Sequence, residues 1–372
     1  MSPDSRTIAA WADSLISKGW NYPAFLREAT STAPPALYLG VITLFGLLKT
    51  TLPDHWAPFL VGLNVLAFGL VTGLACRLVW SLTGSSRATL FSFCLFLGGF
   101  DIFQWCRYVL SDPTFLALAT VCLWLASLVV LEGGTRARLV QLGAVILIAF
   151  FYRPTGFLLL PTALFAVLFQ RRDKFPPHFR PALVVTLSLL SACFLIVLNA
   201  HWMRDVSSRP ISLRSQLEHQ AAHYNLGEVV WDRPELAHPP PASKLDVVKI
   251  TLDRWLWFWA PVYRGFSLSH NLINLFLFLP CYAGVLCLLV RLWAGSRLGQ
   301  RQTLVIWMLL AFIFTVSCWH AIIQVDYDWR YRLPTLPALL VLAGCGFHEV
   351  FPEPPSEEDN EDSHGVAEGL EV

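Results

Sequence analysis

Long apolar runs, each closed by a short polar or charged island, dominate the chain from about residue 57 to residue 350. They lie at roughly 57–82, 88–107, 113–132, 138–152, 154–170, 181–200, 271–293, 303–324 and 333–350. At about 1.5 Å per helical residue, seven of the nine come within a few ångströms of the ~30 Å hydrocarbon core of a bilayer or exceed it, while 138–152 and 154–170 are shorter, at roughly 22 and 26 Å. The pattern predicts an all-α polytopic membrane protein with about nine transmembrane helices. Residues 35–50 are apolar but short for a span, which predicts an interfacial or re-entrant segment. The organisation expected is an N-terminal juxtamembrane region at 1–56, a first part of the bundle at 57–200, a long connection at 201–270 with interfacial amphipathic helices, and a last part of the bundle at 271–350. The tail, 351–372, is acidic and without apolar periodicity, and is expected to be disordered.

Composition agrees with the pattern. Hydrophobic residues make up 55% of the chain and charged ones 14%, and mean hydropathy is +0.54, above the range of soluble domains. With 27 basic and 26 acidic residues there is no net attraction to nucleic acid. The first 33 residues are polar and lack the basic start and apolar stretch of a cleavable signal peptide. No cysteines form a C-x-x-C pair, and nearly all fall in apolar runs, which reads as small buried residues.

Orientation follows from the basic residues. Arg77 to Arg87, Arg136 and Arg138, Arg171 to Arg180, and Arg291 to Arg301 occupy alternate connections, which the positive-inside rule makes cytoplasmic. Parity then sends Asp112, the Tyr152-Arg-Pro-Thr corner, the 201–270 connection and Asp326 to Arg332 to the opposite face. Asp112 precedes Pro113 and is either a helix cap or a working group. Arg330 and Arg332 either snorkel to headgroups or grip a phosphate, for which a guanidinium fork is suited. Arg254-Trp-Leu-Trp-Phe-Trp259 reads as an interfacial belt or as a wall against lipid or sugar. His219, His223 and His238 share the long connection, but no third zinc ligand is in register with them. A transporter or flippase would place ionisable groups inside the spans; only Asp101 stands out, near the outer end of its run. A non-catalytic membrane assembly protein is the other alternative.

Five stretches in order, Asp4-Ser-x-x-Ile8-x-x-x-Ala12-x-x-Leu15, Pro34-Pro-x-Leu-Tyr38, Leu110-Ser-Asp-Pro-Thr-Phe115, Tyr152-Arg-Pro-Thr-Gly156 and Arg330-Tyr-Arg-Leu-Pro-x-x-Pro337, resemble the motifs of GT-C glycosyltransferases of the protein-mannosyltransferase and lipid A aminoarabinose-transferase type. The likeness runs from residue 4 to about 348. Two features depart from it: that family places a span before its Asp-Ser motif, where this chain begins at Met1, and its usual tyrosine is Ile8 here. The resemblance implies a multispanning transferase that takes a sugar from a polyprenyl-phosphate carrier, with inversion, to a lipid, polysaccharide or protein acceptor on the non-cytoplasmic face. The sequence holds no N-x-S/T sequon, which points to a bacterial inner membrane rather than the endoplasmic reticulum. It implies Asp4 as catalytic base and Asp112 as second acid, orienting the acceptor or holding a divalent cation. Arg330, Arg332, Arg153, Arg264 and Tyr38 are its candidate ligands for the carrier phosphate or substrate.

Overall fold

The computed structural model describes residues 3–28, 38–169, 243–263, 266–323 and 329–353, and every regular element among them is helical. The helices are α1 (Pro3–Ser17), α2 (Tyr22–Glu28), α3 (Leu39–Thr51), α4 (Trp56–Thr83), α5 (Ser86–Gly98), α6 (Phe100–Cys106), α7 (Asp112–Glu132), α8 (Arg136–Tyr152), α9 (Leu160–Phe169), α10 (Lys244–Trp259), α11 (Leu268–Ala294), α12 (Gln300–Ile323) and α13 (Leu336–Val350). Tight 3₁₀ turns at Pro154–Leu159 and Trp329–Thr335 lead into α9 and α13.

Five stretches among the described residues are long and apolar enough to cross a membrane: α4, α7, α11, most of α12, and Tyr331–Val350, which runs from the 3₁₀ turn to the end of α13. The chain is an all-α membrane protein. Elsewhere the segmentation is finer than the apolar runs. The 88–107 run is two helices, because the Gly98-Gly99 pair weakens the helix and Gly99 leaves helical geometry at φ −73°, ψ 69°. Pro154 ends α8, so the 154–170 run starts as a 3₁₀ turn and becomes regular only at Leu160. The 181–200 run lies outside the described residues. Residues 35–50 contribute α3, whose Val41, Ile42, Phe45 and Leu48 are buried where α3 packs against α1 and α8.

The centre is formed by α7 and α13. Every residue of α13 from Leu336 to Gly346 is buried, as is most of α7. Around them stand α4, α5, α11 and α12, whose outward faces carry bare apolar side chains: Leu66 and Leu70 on α4, and Phe276, Leu279 and Trp293 on α11. An apolar exterior of this extent suits lipid rather than water.

Polar contacts mark the two ends of the bundle. At one, Glu353 accepts from the Ser86 hydroxyl and the Arg87 amide (both 2.8 Å), and Glu349 accepts from the Ser296 hydroxyl (2.5 Å) and the Arg297 amide (3.1 Å). There too, Arg301 donates to the Leu131 carbonyl and Arg138 pairs with Glu132. The arginine-bearing connections at 84–87, 132–138 and 294–301 therefore meet at this end, and the other end carries Asp112 and Arg153.

The closest helix contact joins α11 to α13. A Cβ on Gly346 would stand 1.8 Å from the Gly284 carbonyl oxygen, and one on Gly284 would stand 2.8 Å from that of Ala343. Only glycine lets these backbones touch. Gly346→Ala is expected to separate the helices and lower stability by about 1–3 kcal/mol or more. Gly69→Ala, where a Cβ would meet nothing within 4 Å, is expected to be neutral or stabilising by up to ~1 kcal/mol. Thermal unfolding of both variants in one detergent checks this; equal melting temperatures would contradict the packing.

Candidate functional site

The opposite end is organised by proline. Pro113 suits the first turn of α7, and Asp112 opens that helix, where a negative charge is favoured by the aligned peptide dipoles. Pro154 keeps Arg153 out of the helical region, at φ −150°, ψ 146°, so α8 stops at Tyr152 and the Arg153 side chain leaves the helix end. The turn that follows is tight enough that a Cβ on Gly156 would stand 2.2 Å from the Ala149 carbonyl oxygen.

These two helix ends meet in an ion pair: Nη1 of Arg153 donates to Oδ1 of Asp112, with side-chain exposures of 19% and 7%. Asp112 is thus not a cap. Its carboxylate takes no backbone amide, and Ser111 makes no capping bond either. The pair leaves atoms unused. Among the described residues the Nη1–Oδ1 bond is the one hydrogen bond of either side chain, which leaves Oδ2 of Asp112 and Nε and Nη2 of Arg153 without one. Burial opposes charge on Arg153, but the adjacent carboxylate and its hydrogen bond, with the nearby phenols of Tyr38 and Tyr331, outweigh it and hold the guanidinium above its ordinary range. The Phe115 ring lies 5.8 Å from the guanidinium carbon.

Arg153 lines a cleft of about 500 Å³, counting its open mouth, between α7, the 154–159 turn, α12 and the 329–335 turn. Its other walls include Thr155, Phe115, Phe312, Trp319, His320, Tyr331 and Pro334. The lining is mostly aromatic and aliphatic with a cation at one side, the composition of a small-molecule or lipid-headgroup site.

The link ahead of Asp112 is clamped from two helices. Ser5 of α1 donates its hydroxyl to the Val109 carbonyl. Asn64 of α4 donates to the carbonyls of Tyr108 (3.0 Å) and Leu110 (3.3 Å). The Ser5 contact brings the start of α1, where Asp4 stands, to this end of the bundle; the Asp4 side chain lies outside the described residues. Tyr38 begins α3, tilted against Trp11 with ring centroids 5.9 Å apart, within electrostatic reach of Arg153.

Arg332 is not part of the cleft lining. It is 2% exposed, donates to the Ala260 carbonyl at 2.8 Å, and stands 4.1 Å from the Phe278 ring centroid. It ties the end of α10 to α11, and its neighbour Tyr331 faces the cleft. The side chain of Arg330, all of Arg264, and His219, His223 and His238 lie outside the described residues. Inside the Arg254–Trp259 stretch, Trp255 donates to the Ser317 hydroxyl (3.1 Å), the Phe258 ring sits 5.0 Å from that of His320, and Tyr282 donates to the Trp259 carbonyl (2.6 Å). One side of α10 therefore packs on the bundle, while Leu245, Val248, Leu252 and Leu256 remain exposed.

Sequence reasoning missed Trp319 and His320. The available signal was the Cys318-Trp-His step, where a polar ring interrupts an apolar run close to its end. A divalent cation fits Asp112 poorly. Arg153 takes one carboxylate oxygen and brings a positive charge beside it, and no group of three His, Cys, Asp or Glu side chains gathers among the described residues.

No protein-family profile, no curated protein and no solved structure matches this chain.

The ion pair is tested by a double-mutant cycle. Arg153→Met strands the carboxylate and is expected to cost about 1–3 kcal/mol, the penalty for an unpaired buried group. Adding Asp112→Asn should restore part of that loss, and unfolding of the four species gives the coupling. Strictly additive losses would mean that the two side chains do not interact.

Proposed function

We propose that the chain is a membrane glycosyltransferase that moves a sugar from a polyprenyl-phosphate carrier to a hydroxyl acceptor on the non-cytoplasmic side, within a GT-C type bundle of about nine spans. The observation that carries this reading is the ion pair with one open atom set on each partner. Nε and Nη2 of Arg153 suit the oxygens of a phosphate, and Oδ2 of Asp112 is free to accept from a ligand hydroxyl a few ångströms away. A ligand that satisfies both is a phosphorylated polyol, and the aromatic cleft beside them suits a sugar face or the first isoprene unit.

Two further observations support it. Asp112 pairs with the Arg153 guanidinium and Tyr38 and Tyr331 lie within its electrostatic reach, so four of the motifs that resemble the GT-C pattern bear on one cation, and Ser5 of the fifth clamps the adjacent link. Within the five spanning stretches every Asp, Glu, Lys or Arg falls within about two turns of a helix end, unlike a carrier with ionisable groups at mid-depth.

Transfer from a lipid phosphate needs no general acid, because the leaving group departs as a stable anion. The C1–O bond to phosphate breaks, the acceptor oxygen bonds to C1 from the opposite face, and the acceptor's proton passes to a carboxylate base. Asp4 is assigned that role by its place in the motif. Arg153 offsets the charge of the departing phosphate, and Asp112 holds Arg153 with one oxygen and orients a hydroxyl with the other. Acceptors are lipid, polysaccharide or protein.

The purified chain, given polyprenyl-phosphate hexoses and a mixed acceptor extract, is expected to release free polyprenyl phosphate. Asp4→Asn and Asp112→Asn should abolish release in folded protein. Arg153→Lys keeps charge but loses the fork, and should raise half-saturation roughly ten- to hundredfold, the worth of a charge-assisted hydrogen bond. Unaltered turnover in both acid variants would end the assignment. Orientation is tested separately: a cysteine at Ser269 should react with an impermeant maleimide on intact cells and one at Gly299 should not.

A further inference from the structure

Asn64 is wholly buried on α4, a helix otherwise apolar around it. A buried primary amide with nothing to bond would cost several kcal/mol, and this one is satisfied entirely by the chain that flanks Asp112. Its Nδ2 donates to the carbonyls of Tyr108 (3.0 Å) and Leu110 (3.3 Å), and its Oδ1 accepts from the Thr114 hydroxyl (3.1 Å). Carbonyl oxygens only accept, so the amide can face them in no other way. One side chain therefore grips the backbone before Asp112 and the side chain after it, without touching Asp112 itself. The Ser5 bond to Val109 falls between the two gripped carbonyls but comes from another helix.

We propose that Asn64, acting with Thr114, is a positioning residue for the Asp112–Arg153 pair: it fixes the start of α7 so that one carboxylate oxygen meets Arg153 and the other stays open. Without this grip the 107–111 link and the first turn of α7 can rotate, and Asp112 leaves the guanidinium. The consequence for transfer rests on the proposed function, whereas the placement of the pair does not.

The test uses the full chain in detergent and reads the rate at which phenylglyoxal modifies Arg153, followed on its peptide by mass spectrometry. Asp112→Asn unpairs Arg153 and sets the upper rate. Thr114→Val keeps shape but removes the hydroxyl, and Asn64→Leu removes the amide. Both are expected to speed modification roughly five- to tenfold, the worth of a lost hydrogen bond, while Thr114→Ser retains the wild-type rate. Combined with Asp112→Asn, Thr114→Val should add nothing. A wild-type rate in Thr114→Val, or a further increase in the double variant, overturns the proposal, because the first denies the grip and the second shows general loosening. Transfer measured on the same variants separates the two claims. If the wild type releases no polyprenyl phosphate the functional reading fails, and the modification rates still decide the positioning role.

Discussion

A carboxylate or a guanidinium buried at the end of an apolar bundle persists only with partners that offset a desolvation cost of several kcal/mol, and Asp112 and Arg153 meet that need with each other. Much of their end of the molecule is built to form this pair. Pro113 and Pro154 determine where α7 begins and α8 stops, Gly156 lets the following turn fold back on α8, and Asn64 and Ser5 hold the link that delivers Asp112. The pair is incomplete by design: the carboxylate has one oxygen to spare and the guanidinium two nitrogens. A site saturated by its own hydrogen bonds would be structural; one with an acceptor and donors left open beside a cleft can take a ligand.

The two ends of the bundle differ in the same terms. At the end with Glu349 and Glu353, each carboxylate is spent on a hydroxyl and an amide of a connection, which closes the loops against the helices. At the end with Asp112, its partner Arg153 lines a cleft together with Thr155, His320 and Tyr331. The tightly packed α11 and α13, which meet through Gly284 and Gly346, span the distance between them. A rigid centre of this kind holds a surface site in place without contributing an Asp, Glu, Lys or Arg at mid-depth.

The apolar runs made the fold class legible, because hydrophobic length is a direct physical signal, and the long spans around α4, α7, α11, α12 and α13 follow them closely. Gly98-Gly99 and Pro154 mark the breaks that run length alone conceals. Asp112 and Arg153 stood out as charged islands beside prolines. Their pairing was not legible, since it joins positions 41 apart in the chain and depends on how α7 meets α8. Arg330-Tyr-Arg332 shows the same limit. The residues alone leave the arginines as headgroup anchors or phosphate ligands, but the phase of the 329–335 turn directs Arg332 to Phe278 and Ala260 and turns Tyr331 to the cleft. Trp319 and His320 were hidden because aromatic residues near a span end look alike whether they face lipid or a site.

What occupies the open atoms of the pair decides whether this end of the bundle is a transferase site. A cryo-electron-microscopy map of the chain in a lipid nanodisc with a polyprenyl-phosphate hexose addresses this directly. Phosphate density is expected within hydrogen-bonding distance of Nε and Nη2 of Arg153, with a hydroxyl of the ligand on Oδ2 of Asp112 and the Nη1–Oδ1 bond retained. Ligand density elsewhere on the bundle, with Asp112 and Arg153 closed on each other through both carboxylate oxygens, would contradict that assignment.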